Sequence, residues 1–391
     1  KVADVTALAL NIPWMLSAVA LRHVAAGWTI TPQRTAVRWL FAGHGFAIAA
    51  TDSSQSQQRP VVVVPGSART AANDGDVLIV WISGRGTIRL TPDRAGVWGR
   101  LDAACISPDG RRIAVAGTIS GPFPQQAVYW TNTMASVGDL NRPLLYRWTE
   151  ALGCSWVGGT LYVAGRGYTE DRSGPHGVLW TDGFPTTVVR PQDVLNIRTC
   201  AYTPLVELHD VDSRGRVAGF WAGWVDLGQG LGCRLTIRAF IGTPGSYTVS
   251  PPVVDSRGWG TVSPLRMSSQ GHVVFRARVD DSWRGYLWNS NTGQLVELPL
   301  EPSGISADGS RIVGWVRGDL VDHGVLWENG RLSRIDEIFR PFLRQQDFLG
   351  SARGISADGR FIVATGIPAG YRSQWMALLD LNIARSSHAR K

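Results

Sequence analysis

Brief apolar runs, each bounded by Gly, Asp, Ser or Asn, recur from one end of the chain to the other. RIVGW at Arg311–Trp315 and FIVAT at Phe361–Thr365 are representative, being short and β-branched, the pattern of strands buried on both faces. Apolar spacing at i, i+3 and i+4 is sustained only over Ile335–Leu343, where one short helix is expected between units. The chain therefore reads as all-β.

The polar positions between these runs repeat as well. GISADG stands at Gly304–Gly309 and again at Gly354–Gly359, and each copy leads into an apolar strand. A Ser or Asp side chain there can bind local backbone while Gly supplies positive φ, so the chain reverses within four residues. Asp308 and Gly309, Asp358 and Gly359, and Asp109 and Gly110 of the related ISPDG are thus expected to be structural turns. The full template is a small-residue turn, an apolar strand ending in Gly or Ala, a loop, and a strand ending in an aromatic residue. It recurs with its aromatic at Trp39, Trp81, Trp130, Trp180, Phe240, Trp288, Trp327 and Trp375. After it come Asp182-Gly183, Thr292-Gly293 and Asn329-Gly330, which signal hairpins leading to a last strand.

Three or four antiparallel strands with a period near 48 residues are the signature of a propeller blade. One such sheet cannot bury both faces, and a ring of them leaves no end blade exposed. The expectation is a single β-propeller domain over 1–391, with eight blades at about 1–42, 43–93, 101–141, 150–191, 205–250, 262–300, 303–340 and 353–385. Seven is the alternative, if the irregular second unit merges with a neighbour. The uncharged stretch Val5–Leu21 contains Pro13 and is short for a membrane span. Its VTALAL is expected to be a strand completing the sheet begun by Trp375–Leu381, making it core and not a membrane segment.

The turn and strand GISADGSRIVGW followed by HGVLWENG at His323–Gly330 resembles the bacterial extracellular HAF-type repeat, and the SPDG turn at Ser107–Gly110 is similar to blades of TolB-like and WD40-like propellers. The likeness covers nearly the whole chain, although most of its units lack the closing D-L-G-T-L of the HAF pattern and VGDL at Val137–Leu140 comes near it. It implies a non-enzymatic, often exported repeat protein, and it carries no catalytic residues with it.

Composition adds limits. With 44% apolar and 18% charged residues, and Gly 45, Pro 21 and Trp 17, the chain is too apolar to be disordered and well supplied with turns and large core residues. Its net charge of +8 is carried by arginine, since lysine stands only at Lys1 and Lys391. The basic residues are scattered in ones and twos and not gathered on one face, which argues against nucleic acid as a partner. Cys105, Cys154, Cys200 and Cys233 show no C-x-x-C spacing, which excludes the usual zinc arrangement and leaves two disulfides or free buried thiols as alternatives.

No nucleophile elbow, phosphate loop, dinucleotide fingerprint or calcium loop is present, so no catalytic residue and no cofactor is assigned. In Glu207–Asp212 (ELHDVD), strand alternation separates Glu207 and His209 from Asp210 and Asp212, and Asp212 suits a turn cap better than a metal. Asp280-Asp281 reads as a loop in preference to half of a carboxylate pair. Function is expected where the repeat is interrupted, at Phe220–Cys233, 52–59 and Tyr168–His176. Trp221, Trp224, Trp259 and Trp283 lie outside the repeated aromatic position and are the candidate binding residues. The reading is a binding or assembly module for a protein partner, exported to the surface or periplasm, with a carbohydrate-binding propeller or a propeller glycosidase or lyase as alternatives.

Overall fold

A computed structural model describes residues 35–388 apart from 43, 46, 52–59, 71–72, 91–97, 121–123, 144–145, 170–174, 201–202, 227–231, 256–261 and 320. The described strands form seven separate antiparallel sheets. In chain order they make blade 1 (44–90), blade 2 (98–139), blade 3 (146–189), blade 4 (205–255), blade 5 (262–298), blade 6 (301–334) and blade 7 (348–380 with 37–42). Seven apolar clusters hold them, one at each boundary between neighbours. Phe41, Trp81 and Phe361 lie in the cluster joining blades 7 and 1, so the β-propeller closes into a ring.

The count corrects the eight-blade expectation to the seven-blade alternative. The first of the eight units is not a blade: its AVRW strand, Val37–Ala42, pairs antiparallel with Trp375–Asp380 and becomes the outermost strand of blade 7. It takes the place assigned to VTALAL, which lies outside the described residues. The irregular second unit stands as blade 1. Two aromatic marks also sit out of step. Trp130, Trp180 and Trp327 face Val115, Val163 and Ile312, whereas Phe240 faces Gly219 and Trp375 faces Gly366. Leu379, opposite Ile362 and fully buried, fills the equivalent position in blade 7.

The repeated turn works as the residue types require. In blade 6 the Ser306 hydroxyl donates to Asp308 at 2.5 Å and accepts from the Arg311 amide at 3.0 Å, while the Asp308 carboxylate accepts from the Ser310 amide at 3.0 Å. Gly309 closes the turn at φ 76°. Blade 7 repeats this with Ser356, Asp358 and Gly359, and blade 2 with Ser107, Asp109 and Gly110. Asp182-Gly183, Asn329-Gly330 and Asp280-Asp281 all lie at positive φ in two-residue hairpins, which places Asp280-Asp281 in a turn.

The glycine ending each apolar run has a separate cause. The innermost strand of several blades carries a β-bulge, with Asp102, Leu152, His209 and Ser303 as the extra residues. Each bulge turns the carbonyl of the residue two places earlier toward the facing strand. A Cβ at Gly117, Gly165, Gly219 or Gly314 would collide with the carbonyl oxygen of Arg100, Glu150, Glu207 or Glu301 respectively. In these four blades the V-A-G and I-V-G patterns accompany a bulge at the ring axis, whereas blade 7, with Arg353 as its extra residue, carries Ala364 at that place.

The expected helix appears as Ile335–Phe339, continued by a 3-10 turn at Arg340–Phe342, and it buries Ile335 and Phe339 between blades 6 and 7. No helix among the described residues is long and apolar enough to cross a membrane.

Candidate functional site

The bulges leave a cavity of about 280 Å³ on the axis, walled by the innermost strands of all seven blades. Arg266 forms part of its lining. Its Nη1 donates to the carbonyls of Leu265, His209 and Leu152 at 3.1, 3.3 and 3.4 Å, and its Nη2 to that of Asp102 at 3.2 Å. Three of those four carbonyls belong to bulge residues, so one side chain ties blades 2, 3 and 4 to blade 5.

The strand positions before the bulges carry charge in two groups. In blades 2 to 4, Arg100 pairs with Asp102 at 2.8 Å, Arg166 with Glu150 at 2.7 Å and with Glu207 at 2.6 Å, and His209 Nε2 meets Glu207 at 3.1 Å. Burial works against the ionised Glu207, but the hydrogen bond with His209 and the Arg166 guanidinium outweigh it and hold the carboxyl below its ordinary range. Burial pushes the His209 imidazole down, and Glu207 opposes this only in part. Burial also raises Asp102 and Asp210, and it takes Tyr168, beside Arg166, up to about 12. Asp212 caps the first turn of blade 4, accepting from the Arg214 and Arg216 amides at 2.9 and 3.0 Å. Glu207 and His209 thus share a network, and Asp212 is a turn cap as its sequence context implies.

The second group is a ladder across blades 5, 6 and 7. The Arg276 guanidinium lies 4.5 Å from the centroid of Trp283 and 4.8 Å from that of Trp315, and Arg353 lies 5.1 Å from Trp315. Glu301 anchors it, one oxygen taking Arg276 at 2.7 Å and the other Arg317 at 3.1 Å. Trp283, Trp315, Glu301, Arg317, Arg284 and Glu297 line a groove of about 370 Å³ between blades 5 and 6, within the size range of ligand pockets. Arg284 and Glu297 pair across its rim at 3.5 Å.

Of the four candidate tryptophans, the structure brings Trp283 to this groove. Trp221 is fully buried between blades 3 and 4, where its indole packs as core, because it follows Phe220 on a strand covered on both faces. Trp224 is half-buried further along that strand, and its carbonyl accepts from the Cys200 amide at 2.8 Å. Trp259 and the 52–59 insertion lie outside the described residues, as do parts of the other two insertions. Sequence reasoning missed Trp315, Arg276 and Arg353. Along the sequence Trp315 reads as the end of RIVGW, although it occupies the position held by Arg166 in blade 3, and a departure from the repeat at that place is its signal.

Both cysteine pairs are bridged, Cys105 to Cys154 and Cys200 to Cys233, with Cα separations of 5.8 and 6.4 Å. The first joins the innermost strands of blades 2 and 3 on the cavity wall.

No family model matches the chain, and no curated protein matches it. Among solved structures it is similar to a puromycin hydrolase, with TM-score 0.50 and 12% identity over 88% of this chain and 53% of that one, about half of that protein's length. It is also similar to the β-propeller domain of the Trilobed protease from Pyrococcus furiosus, with TM-score 0.48 and 9% identity over 86% of this chain and 94% of that one. TolB from Acinetobacter baumannii follows at TM-score 0.38 and 12% identity, over 69% and 62%. At these identities the likeness speaks for the propeller fold alone.

Proposed function

We propose that the protein is a non-enzymatic binding propeller that engages a protein partner, in a larger complex or at the cell surface, through the groove between blades 5 and 6. The observation that carries this reading is the pairing of Trp283 and Trp315 with an arginine held between them. Trp and Arg are the residues that most often dominate interface energy, and here the arginine is fixed before any partner arrives, so little side-chain entropy is lost on binding. Exposed Arg284 and Arg317 at the rim, on a chain of net charge +8, suit a partner with an acidic edge. Both oxygens of Glu301 are taken by guanidiniums, which fits a groove that recognises better than one that transfers protons.

Two disulfides support export to an oxidising compartment, the cell exterior or periplasm. A carbohydrate ligand is the second reading, favoured by Trp283 beside the planar polar groups of Arg284 and Glu297.

The test is capture with the intact protein from the exported fraction of the organism that makes it, read by mass spectrometry beside the Trp283→Ala variant. A stoichiometric partner held by the native protein and released by the variant is expected. Capture of glycans alone would favour the carbohydrate reading, and equal capture by both proteins would overturn the groove as the contact.

A further inference from the structure

We propose that the axial cavity is a carboxylate-binding site, with Arg353 as its recognition residue and Arg266 as its second cation. Arg353 and Arg266 line a cavity walled mostly by Ala, Gly and Ser, and among the described residues neither has a carboxylate within ion-pair distance. Arg266 donates to backbone carbonyls only, and it acts on Asp210 and Asp102 through charge without a direct ion pair to either. Arg353 rests on Trp315 and makes no hydrogen bond to a described residue. Burial holds Arg353 below its ordinary value, the neighbouring Arg276 adds to this, and Asp322 opposes it.

The carboxylates of the wall are already engaged. Asp210 accepts from the Val211 and Met267 amides, each at 3.0 Å, and Asp212 pairs with Arg216 at 2.8 Å. A cation taken partly out of water without an anion is unfavourable, and a ligand that supplies the anion removes that cost. The planar guanidinium fork donates two parallel hydrogen bonds to a carboxylate. Asp210 on the same wall weighs against a more highly charged phosphate. The carboxylate can belong to a small free acid or to the C-terminal residue of another chain, and the volume of about 280 Å³ admits either.

The experiment is isothermal titration of the intact protein with succinate, with tetra-alanine bearing a free C-terminus, and with its C-terminal amide. Saturable binding of succinate identifies a small acid as the source. Binding of the peptide acid without its amide identifies a chain terminus. In either case Arg353→Gln should weaken binding by at least about tenfold, the size of a charge-assisted hydrogen bond. Arg353→Lys, which keeps the charge, should weaken it less and serves where the glutamine variant does not fold. Partner capture is read separately on the native protein, so acid binding without capture, or capture without acid binding, separates failure here from failure of the groove. No binding of either acid up to about 10 mM, equal binding of acid and amide, or undiminished binding by both Arg353 variants would overturn the proposal.

Discussion

Arg166 of blade 3 crosses a blade boundary to Glu207 of blade 4, with Nη1 standing 2.6 Å from Oε1, while its Nη2 holds Glu150 of its own blade at 2.7 Å. Both carboxylates are buried. Removing one partner of a buried pair leaves an uncompensated charge, which typically costs about 3–5 kcal/mol. Arg166→Met should lose stability in that range by urea denaturation, and a loss below about 1 kcal/mol would show that the bridge does not hold the blades.

Because the folded-state value of His209 is depressed, the unfolded chain binds its proton first as pH falls below about 6.5. This group's contribution is present above that pH and is lost on acidification. Glu207, also depressed, acts in the same direction lower down, whereas the raised Asp102 and Asp210 gain stability as pH falls and partly offset it. Melting curves between pH 7.5 and pH 5.5, about one unit either side of the unperturbed imidazole, should show a decline that His209→Asn flattens. Parallel profiles for the two proteins would mean that the imidazole is not held neutral.

Gly314 faces the bulge at Ser303, and a methyl group there meets the Glu301 carbonyl. Gly314→Ala should cost about 1–3 kcal/mol as overpacking against backbone that cannot yield. At Gly330, with φ 77° and nothing within 4 Å of the added atom, the same change meets backbone strain alone. A smaller drop in melting temperature at Gly314 than at Gly330 would contradict the bulge as the cause.

Two tryptophans from the same candidate set should behave differently. Trp221→Ala empties a fully buried site and should destabilise by about 3–5 kcal/mol. Trp283→Ala should leave the melting temperature nearly unchanged while weakening partner capture by at least about tenfold, as for an interface anchor. Differential scanning fluorimetry paired with the capture assay separates the two.

The Cys105–Cys154 bridge closes a loop of 49 residues between two blades. Reduction, or a Cys105→Ala/Cys154→Ala pair, should lower stability by about 2–4 kcal/mol. Calorimetry with and without reductant checks this, and an unchanged melting temperature would remove the bridge from the forces joining blades 2 and 3.

Much of the architecture can be read along the chain because its causes are local. Ser306, Asp308 and Gly309 form their turn within six residues, and the apolar runs beside them need only short-range alternation to specify strands. The same locality makes Trp283 visible, as an aromatic outside its repeat position. Trp315 escaped notice because its role depends on Arg276 from blade 5 and Arg353 from blade 7, neighbours that no window around RIVGW contains.

By itself, then, the sequence determined the all-β class, the blade as repeating unit, the turn chemistry and the position of the short helix. Each follows from φ preferences, side-chain caps and hydrophobic period acting over a few residues. Tertiary structure alone decided that there are seven blades, that Val37–Ala42 closes blade 7, which cysteines pair, and that Arg266 and Arg353 from distant strands line one axial cavity. Those outcomes depend on which edges and side chains come together when a ring closes across more than three hundred residues, and nothing in a local pattern encodes that closure.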